Sequence, residues 1–203
     1  TLGIFSSRLG FVFTAQRFSV GGSVAHTLMR RLLFLEYKGV PVVKVLVSSC
    51  LVGNNVRYNA SCLSIPEPEL LWLKSYTELV IFCPEVSAGL PIPRAPAEII
   101  TGKGVDVLDG LANVVGNDGI DVTEQFVSGA ENALELCKKQ QIKYAILAEG
   151  SPSCGSSKIY DGTFNGIKID GSGVAAALLE RNGIKVYSQH SIAKLREALE
   201  EHS

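Results

Sequence analysis

Tyr144-Ala145-Ile146-Leu147-Ala148-Glu149-Gly150-Ser151-Pro152-Ser153-Cys154-Gly155 joins a short apolar run to a cysteine set among serine, proline and glycine. The run is too short for a helix and has no polar alternation. It therefore reads as a strand buried on both faces, as in a parallel sheet. Serine, proline and glycine then make the following segment a turn at the strand's carboxyl end. The same pattern occurs twice upstream. Val42-Val43-Lys44-Val45-Leu46-Val47 runs into Ser48-Ser49-Cys50, and Leu79-Val80-Ile81-Phe82 runs into Cys83-Pro84-Glu85.

Helical signals fall between these strands. Pro66-Glu67-Pro68-Glu69 carries the proline and acids of a helix start. Phe126, Val127, Ala130, Ala133, Leu134 and Cys137 recur at helical spacing, with Asp121 or Thr123 as the cap. Residues 174–181 form a third helix that stops at Asn182-Gly183. Ile184-Lys185-Val186-Tyr187 is a last strand, and Ser191 caps a final amphipathic helix over 192–200. The pattern weakens between Pro84 and Gly119. Residues 88–96 contain three prolines and read as an irregular loop. Val105-Asp106-Val107-Leu108 and Asn113-Val114-Val115 read as a small hairpin turned by Asp109-Gly110, and 159–164 as a further hairpin region. The alternation predicts an α/β fold: a single Rossmann-like domain with a mostly parallel sheet flanked by helices. In such sheets ligands bind beyond the carboxyl ends of the strands. Cys50, Cys83 and Cys154 all fall there.

The chain has 203 residues, enough for one sizeable core. Hydrophobic residues make up 46% and charged residues 19%, which suits a packed chain rather than a disordered one. The formal net charge of −1 provides no basic field for nucleic acid or an anionic membrane. Five cysteines with no CxxC pair offer neither a zinc ribbon nor a disulfide framework, and favour reduced thiols in an intracellular setting. Residues 1–41 read as a poorly structured N-terminal extension. Arg8, Arg17, Arg30 and Arg31 precede the first acid, Glu36. That composition suits a transit peptide to a mitochondrion or other organelle, or else a non-native leader on a cytoplasmic protein. The domain itself is expected over 42–203.

Three convergent thiols suit a soft metal: zinc, copper(I) or an iron–sulfur cluster. A cysteine nucleophile would need a partner base, and of His26, His190 and His202 only His190 is placed near the fold, most simply as an ordinary residue flanking the last helix. A structural zinc site wants a fourth ligand, and none is evident. A [4Fe–4S] cluster takes four thiolates; with three, one iron stays open and can act as a Lewis acid. Each cysteine could instead be a small buried hydrophobe, which is the natural reading of Cys137. Cys62 reads as an ordinary thiol rather than a fourth ligand. Gly171-Ser172-Gly173 reads as a tight turn before a helix, an anion cradle being the alternative.

Taken in order, Ser49-Cys50-Leu51-Val52-Gly53 with Arg57-Tyr58-Asn59, Cys83-Pro84-Glu85 with Gly89-Leu90-Pro91-Ile92-Pro93-Arg94, and Ser151-Pro152-Ser153-Cys154-Gly155 with Ile159-Tyr160-Asp161-Gly162 and Gly171-Ser172-Gly173-Val174 resemble the thiouracil desulfidase family. The resemblance covers about residues 44–190. It implies a [4Fe–4S] cluster held by Cys50, Cys83 and Cys154, whose open iron binds the sulfur of a thiolated nucleobase. Glu85 and Ser151 would be the acid–base pair. Arg57, Arg94 and Ser153 are weaker candidates for contacting substrate. The implied reaction is a non-redox, hydrolase- or lyase-type release of hydrogensulfide from a small molecule, with no nucleic-acid or membrane partner. The alternative is a non-catalytic metal- or cluster-binding module. The chain departs from the family pattern at Ala148-Glu149-Gly150, where a basic residue is expected in many members; an acid there would alter the preferred substrate charge.

Overall fold

The protein is described by a computed structural model over residues 42–201. The N-terminal extension and His202 lie outside the described residues. Four strands form the central sheet: β1 (Val43–Ser48), β2 (Thr77–Phe82), β5 (Tyr144–Leu147) and β8 (Lys185–Ser188). Their order is β2-β1-β5-β8 and every pairing is parallel. Successive strand residues point to opposite faces. Val45, Leu46, Val47 and Ser48 are nevertheless all buried, as are all four residues of β5. Both faces of the inner strands are therefore covered, as the unbroken apolar runs require; β2, read as equally buried, is instead an edge strand and leaves Ile81 50% exposed.

The covering elements come in chain order. Helix α1 (Glu67–Tyr76) precedes β2, and the short α2 (Pro84–Ser87) follows it. Helix α4 (Thr123–Gln140) leads into β5, α5 (Val174–Arg181) into β8, and α6 (Ile192–Glu200) follows β8. Leu73, Ala133, Cys137, Ala176, Leu179 and Leu195 from these helices pack with β1 and β5 in one core. Gln141, in the left-handed region at φ 57°, ends α4, with Lys138 and Lys139 in its last turn. No helix among the described residues is long and apolar enough to cross a membrane.

The segment between Pro84 and Gly119 departs from expectation. Residues 104–108 are not a strand but helix α3 (Gly104–Leu108). Asp106 Oδ2 accepts the Lys103 N–H at 2.8 Å and so closes a helical first turn that outweighs the apolar alternation. Strand β4 (Asn113–Gly116) pairs instead with β3 (Ala97–Ile100), antiparallel, with Ile99 opposite Val114. The prolines do end regular structure, but only as far as Pro96. A second core gathers Ile99, Val107, Val114, Phe126, Ala130, Ile159, Val174 and Ala175 beneath this hairpin. The hairpin expected over 159–164 is longer than that: β6 (Lys158–Tyr160) pairs with β7 (Lys168–Asp170), a strand beyond the expected range, and 161–167 is the connecting loop.

One close approach links a helix to the site. A Cβ on Gly129 of α4 would overlap the Pro84 carbonyl, between Cys83 and Glu85. Alanine gains about 1 kcal/mol in helix propensity, but the obstacle is backbone and cannot rotate away. Overpacking costs about 1–3 kcal/mol. Gly129→Ala is therefore expected to lower the midpoint of chemical denaturation, whereas Ser128→Ala, at an exposed position of the same helix, raises or preserves it.

Candidate metal centre and acid–base pair

A cavity of about 820 Å³ opens at the carboxyl ends of β1, β2 and β5. Cys50, Cys83 and Cys154 all line it, as do Glu85, Ser151, Arg57 and Arg94. The register explains the convergence. Ser48 lies opposite Phe82 and Val47 opposite Ile146, so the chain leaves all three strands at one edge. Cys50 then sits in a 3₁₀ turn (Ser49–Leu51), Cys83 caps α2, and Cys154 lies in the loop after β5.

Cys154 is the most enclosed of the three, 5% exposed. Its Sγ accepts a hydrogen bond from Ser48 Oγ at 3.5 Å, and the same hydroxyl accepts the Ala148 N–H at 3.1 Å. Burial pushes the Cys154 thiol far up; the Ser48 hydroxyl opposes this, and Glu85, Cys83 and Cys50 add to it. Burial, then the neighbouring Cys83, pushes Cys50 up to about 11, with Arg57 pulling the other way. Cys83 is also raised, chiefly by burial. Cys50 senses the charge of Cys83, and Cys154 that of both, so the three lie within electrostatic reach of one another.

The donor set fits a cluster. It is sulfur alone, and without a cation these buried thiols remain protonated; a metal deprotonates a coordinating thiol outright. Among the described residues no three His, Cys, Asp or Glu side chains come close enough to hold a single metal ion. A four-iron cluster is wider than one ion and spreads its thiolates further apart. Cys62 is exposed and Cys137 buried, and neither lines the cavity. No fourth cysteine among the described residues therefore reaches this wall.

Glu85 and Ser151 meet. Ser151 Oγ donates to Glu85 Oε1 at 3.4 Å while accepting the N–H groups of Ser153 at 3.1 Å and Cys154 at 3.2 Å. With its lone pairs engaged by the loop, the hydroxyl proton points to the carboxylate. The other Glu85 oxygen, Oε2, accepts Arg94 Nη2 at 2.6 Å and Nε at 3.0 Å. Arg94 also donates to the carbonyls of Pro91 and Val56. Its side chain is 8% exposed, so its guanidinium positions Glu85 rather than standing open in the cavity. Arg57 bonds Ser61 Oγ and lies over the Tyr58 ring at 5.7 Å. Ser153 is fully buried and does not line the cavity; its hydroxyl has no hydrogen-bond partner among the described residues.

The Cys154 loop is braced from two sides. The N–H groups opening α5 donate to it: Gly173 to the Gly155 carbonyl, Val174 to Pro152, and Ala175 to Ser153. Those amides are thus occupied, and Gly171-Ser172-Gly173 is a packing turn rather than an anion cradle. A Cβ on Gly173 would sit 2.6 Å from the Pro152 and Ser153 oxygens. On the other side, Glu149 accepts the N–H groups of Ser156, Ser157 and Lys158 and the hydroxyls of Ser156 and Ser157. Both carboxylate oxygens are engaged, so Glu149 is a loop brace, and the expected effect on substrate charge loses its basis. Burial pushes its pKa up, but those hydrogen bonds outweigh burial and hold it below the ordinary 4.5. A carboxyl depressed in the folded state adds stability above its unfolded value and loses it as pH falls through the folded value. The thermal stability gap between wild type and Glu149→Gln is therefore expected to narrow on acidification below 4.5, read from melting curves. A gap that widened would contradict the brace.

Ser48, Glu98, Phe164 and Lys168 were not among the residues expected at the site, and His190 was expected to be an ordinary helix-flanking residue, yet all five line the cavity. His190 lies beside Gln189, whose Oε1 accepts the Glu149 N–H. None carried a motif of its own; the shared strand-end position of Ser48 was the one available signal.

A family model described as 2-thiouracil desulfurase matches residues 45–191. The uncharacterized protein YbbK of Bacillus subtilis is 47% identical over 148 residues, covering 73% of this chain and 97% of YbbK. The solved structure of the [4Fe-4S]-dependent thiouracil desulfidase TudS matches at a TM-score of 0.70 and 44% identity, covering 78% of this chain and 98% of that one. The matched span contains all three thiols, Glu85 and Ser151, and the chain belongs to the 2-thiouracil desulfurase family.

Proposed function

We propose that the domain at 42–203 removes sulfur from a thiolated pyrimidine such as 2-thiouracil, releasing hydrogensulfide with no net redox change. Cys50, Cys83 and Cys154 would hold a [4Fe–4S] cluster. When bound, that group supplies an iron with an open position, a Lewis acid for the thione sulfur. The reaction replaces C=S by C=O: water adds its oxygen to the carbon, and its two protons leave with the sulfur. Glu85 Oε1 accepts a proton from water near the Ser151 hydroxyl, and Ser151 passes or positions it. Arg94 fixes the carboxylate, and the loop amides fix the hydroxyl.

The observation that carries this reading is the shared cavity wall, where three strand-end thiols face a hydrogen-bonded Ser151–Glu85 pair. A closed, non-catalytic cluster module would need a fourth protein ligand, and neither Cys62 nor Cys137 lines the cavity. The test is anaerobic reconstitution followed by incubation with 2-thiouracil. Iron and sulfide near four each per chain, with sulfide and uracil formed in equal amounts, are expected. Stoichiometric zinc in a colourless protein with no sulfide release would overturn the proposal.

A further inference from the structure

Glu98 is 8% exposed and lines the same cavity, yet it plays no part in the acid–base pair. Its Oε2 accepts two backbone N–H groups from the β6–β7 loop, from Gly162 at 2.9 Å and Phe164 at 3.1 Å. Its Oε1 accepts no hydrogen bond from the described residues. A buried carboxylate needs donors for both oxygens. Here the protein supplies them for one, and the second is left to the contents of the cavity.

The loop that Glu98 holds is packed as well as bonded. A Cβ on Gly162 would sit 2.6 Å from the Ile99 carbonyl, and Gly162 has φ 86°, so the loop lies flat against β3. Phe164 follows at φ 58°, a left-handed conformation uncommon for a non-glycine residue. Phe164 is 38% exposed and lines the cavity instead of joining either core. Buried acceptor and exposed ring thus come from one small unit, at the wall built by β3 rather than by the cysteine loops.

We infer that Glu98 and Phe164 form the subsite that selects the heterocycle: Glu98 Oε1 accepts a ring N–H, and Phe164 covers the ring's face. This rests on the desulfidase reading and adds its ligand chemistry, a planar heteroaromatic with an N–H donor away from the reacting carbon. Such a carboxylate rejects a ring N-alkylated at that position, because its oxygen is then desolvated without a donor. Glu98 also acts through Phe164 by fixing the loop.

The test uses the reconstituted holoprotein with 2-thiouracil and its N1-methyl and N3-methyl derivatives. In the wild type, one methyl derivative is expected to show a KM about 10–100-fold higher than the parent. Glu98→Gln is expected to raise KM for 2-thiouracil by a similar factor of about 10–100, to lose most of that discrimination, and to keep kcat within about threefold. Phe164→Ala, at an exposed position, is expected to raise KM about tenfold without changing which methyl derivative is rejected. Amide exchange at Gly162 and Phe164 should quicken in Glu98→Gln. Calorimetric binding of uracil to the same proteins separates the two readings. If wild type binds uracil but releases no sulfide, the desulfidase proposal fails, and weaker uracil binding by Glu98→Gln still supports the subsite. Unchanged uracil affinity, or an unchanged KM with discrimination intact, overturns the subsite alone.

Discussion

Cys154→Ser is expected to yield a folded protein that does not retain iron and releases no sulfide from 2-thiouracil. The fold should survive because the exchange keeps shape and small size at a position whose backbone is held independently. Ser151 Oγ takes the Cys154 N–H, and α5 donates to the loop on both sides of it. The new hydroxyl also retains a partner in Ser48, so no buried polar group is orphaned. Metal binding is a different matter. A serine hydroxyl is a hard, neutral oxygen, and soft iron–sulfur centres are held by thiolate. With two thiols left, the site falls one ligand further below the usual four. Iron content and the visible spectrum after anaerobic reconstitution report this directly, with the melting temperature of the metal-free protein as the control for folding. Cys62→Ser and Cys137→Ser serve as specificity controls, since neither residue lines the cavity; both should keep wild-type iron. Full iron occupancy and turnover in Cys154→Ser would remove Cys154 from the ligand set.

The sequence made the central sheet legible because burial on both faces leaves an unmistakable mark. No charged or strongly polar residue falls within Val45, Leu46 and Val47, or within Tyr144, Ala145, Ile146 and Leu147. Strand ends follow from that, and so did the joint placement of the three thiols. The β3–β4 hairpin was not legible. Ile99 and Ile100 follow three prolines, and Val105-Asp106-Val107 imitates a strand while Asp106 closes a helical turn onto Lys103. Local alternation could not reveal that tertiary burial takes Val107 inward and leaves Val105 exposed.

The site shows the same division. Glu85 and Ser151 were singled out only through the family resemblance, and their hydrogen bond joins residues 66 positions apart. The Ser48–Cys154 contact spans 106 positions, and an isolated serine before Cys50 does not announce it. Acidic residues were the least legible. Glu149 looks like a charge next to the reacting centre, yet both its oxygens are consumed in bracing the loop. Glu98 looks like an ordinary strand acid, yet it is buried with one oxygen unclaimed by any described residue. Which acid is structural depends on where backbone N–H groups point, and composition does not encode that.

Glu85→Gln is expected to lower sulfide release by about 10²–10⁴-fold, the range for losing a positioned acid–base group, while iron content stays at the wild-type level. Glutamine preserves the outline of the side chain, and its amide oxygen can still accept from Arg94. It cannot take up a proton from water at neutral pH, so the proton step loses its acceptor. Some stability is lost as well. Glu85 and Arg94 are 15% and 8% exposed, and the 2.6 Å contact between them is charge-assisted. Removing one charge of a buried pair can cost about 3–5 kcal/mol. Here the cost should fall below that, because Arg94 keeps the Pro91 and Val56 carbonyls. Arg94→Lys separates orientation from chemistry. Lysine retains the charge but replaces a two-pronged fork with a single point. The Glu85 carboxylate would remain, less firmly aimed at Ser151, and turnover should fall by a smaller factor than in Glu85→Gln. If Glu85→Gln keeps its iron and still turns over within about threefold of wild type, the proton acceptor lies elsewhere in the cavity. If it loses iron together with activity, Glu85 supports the Cys83 turn rather than the reaction.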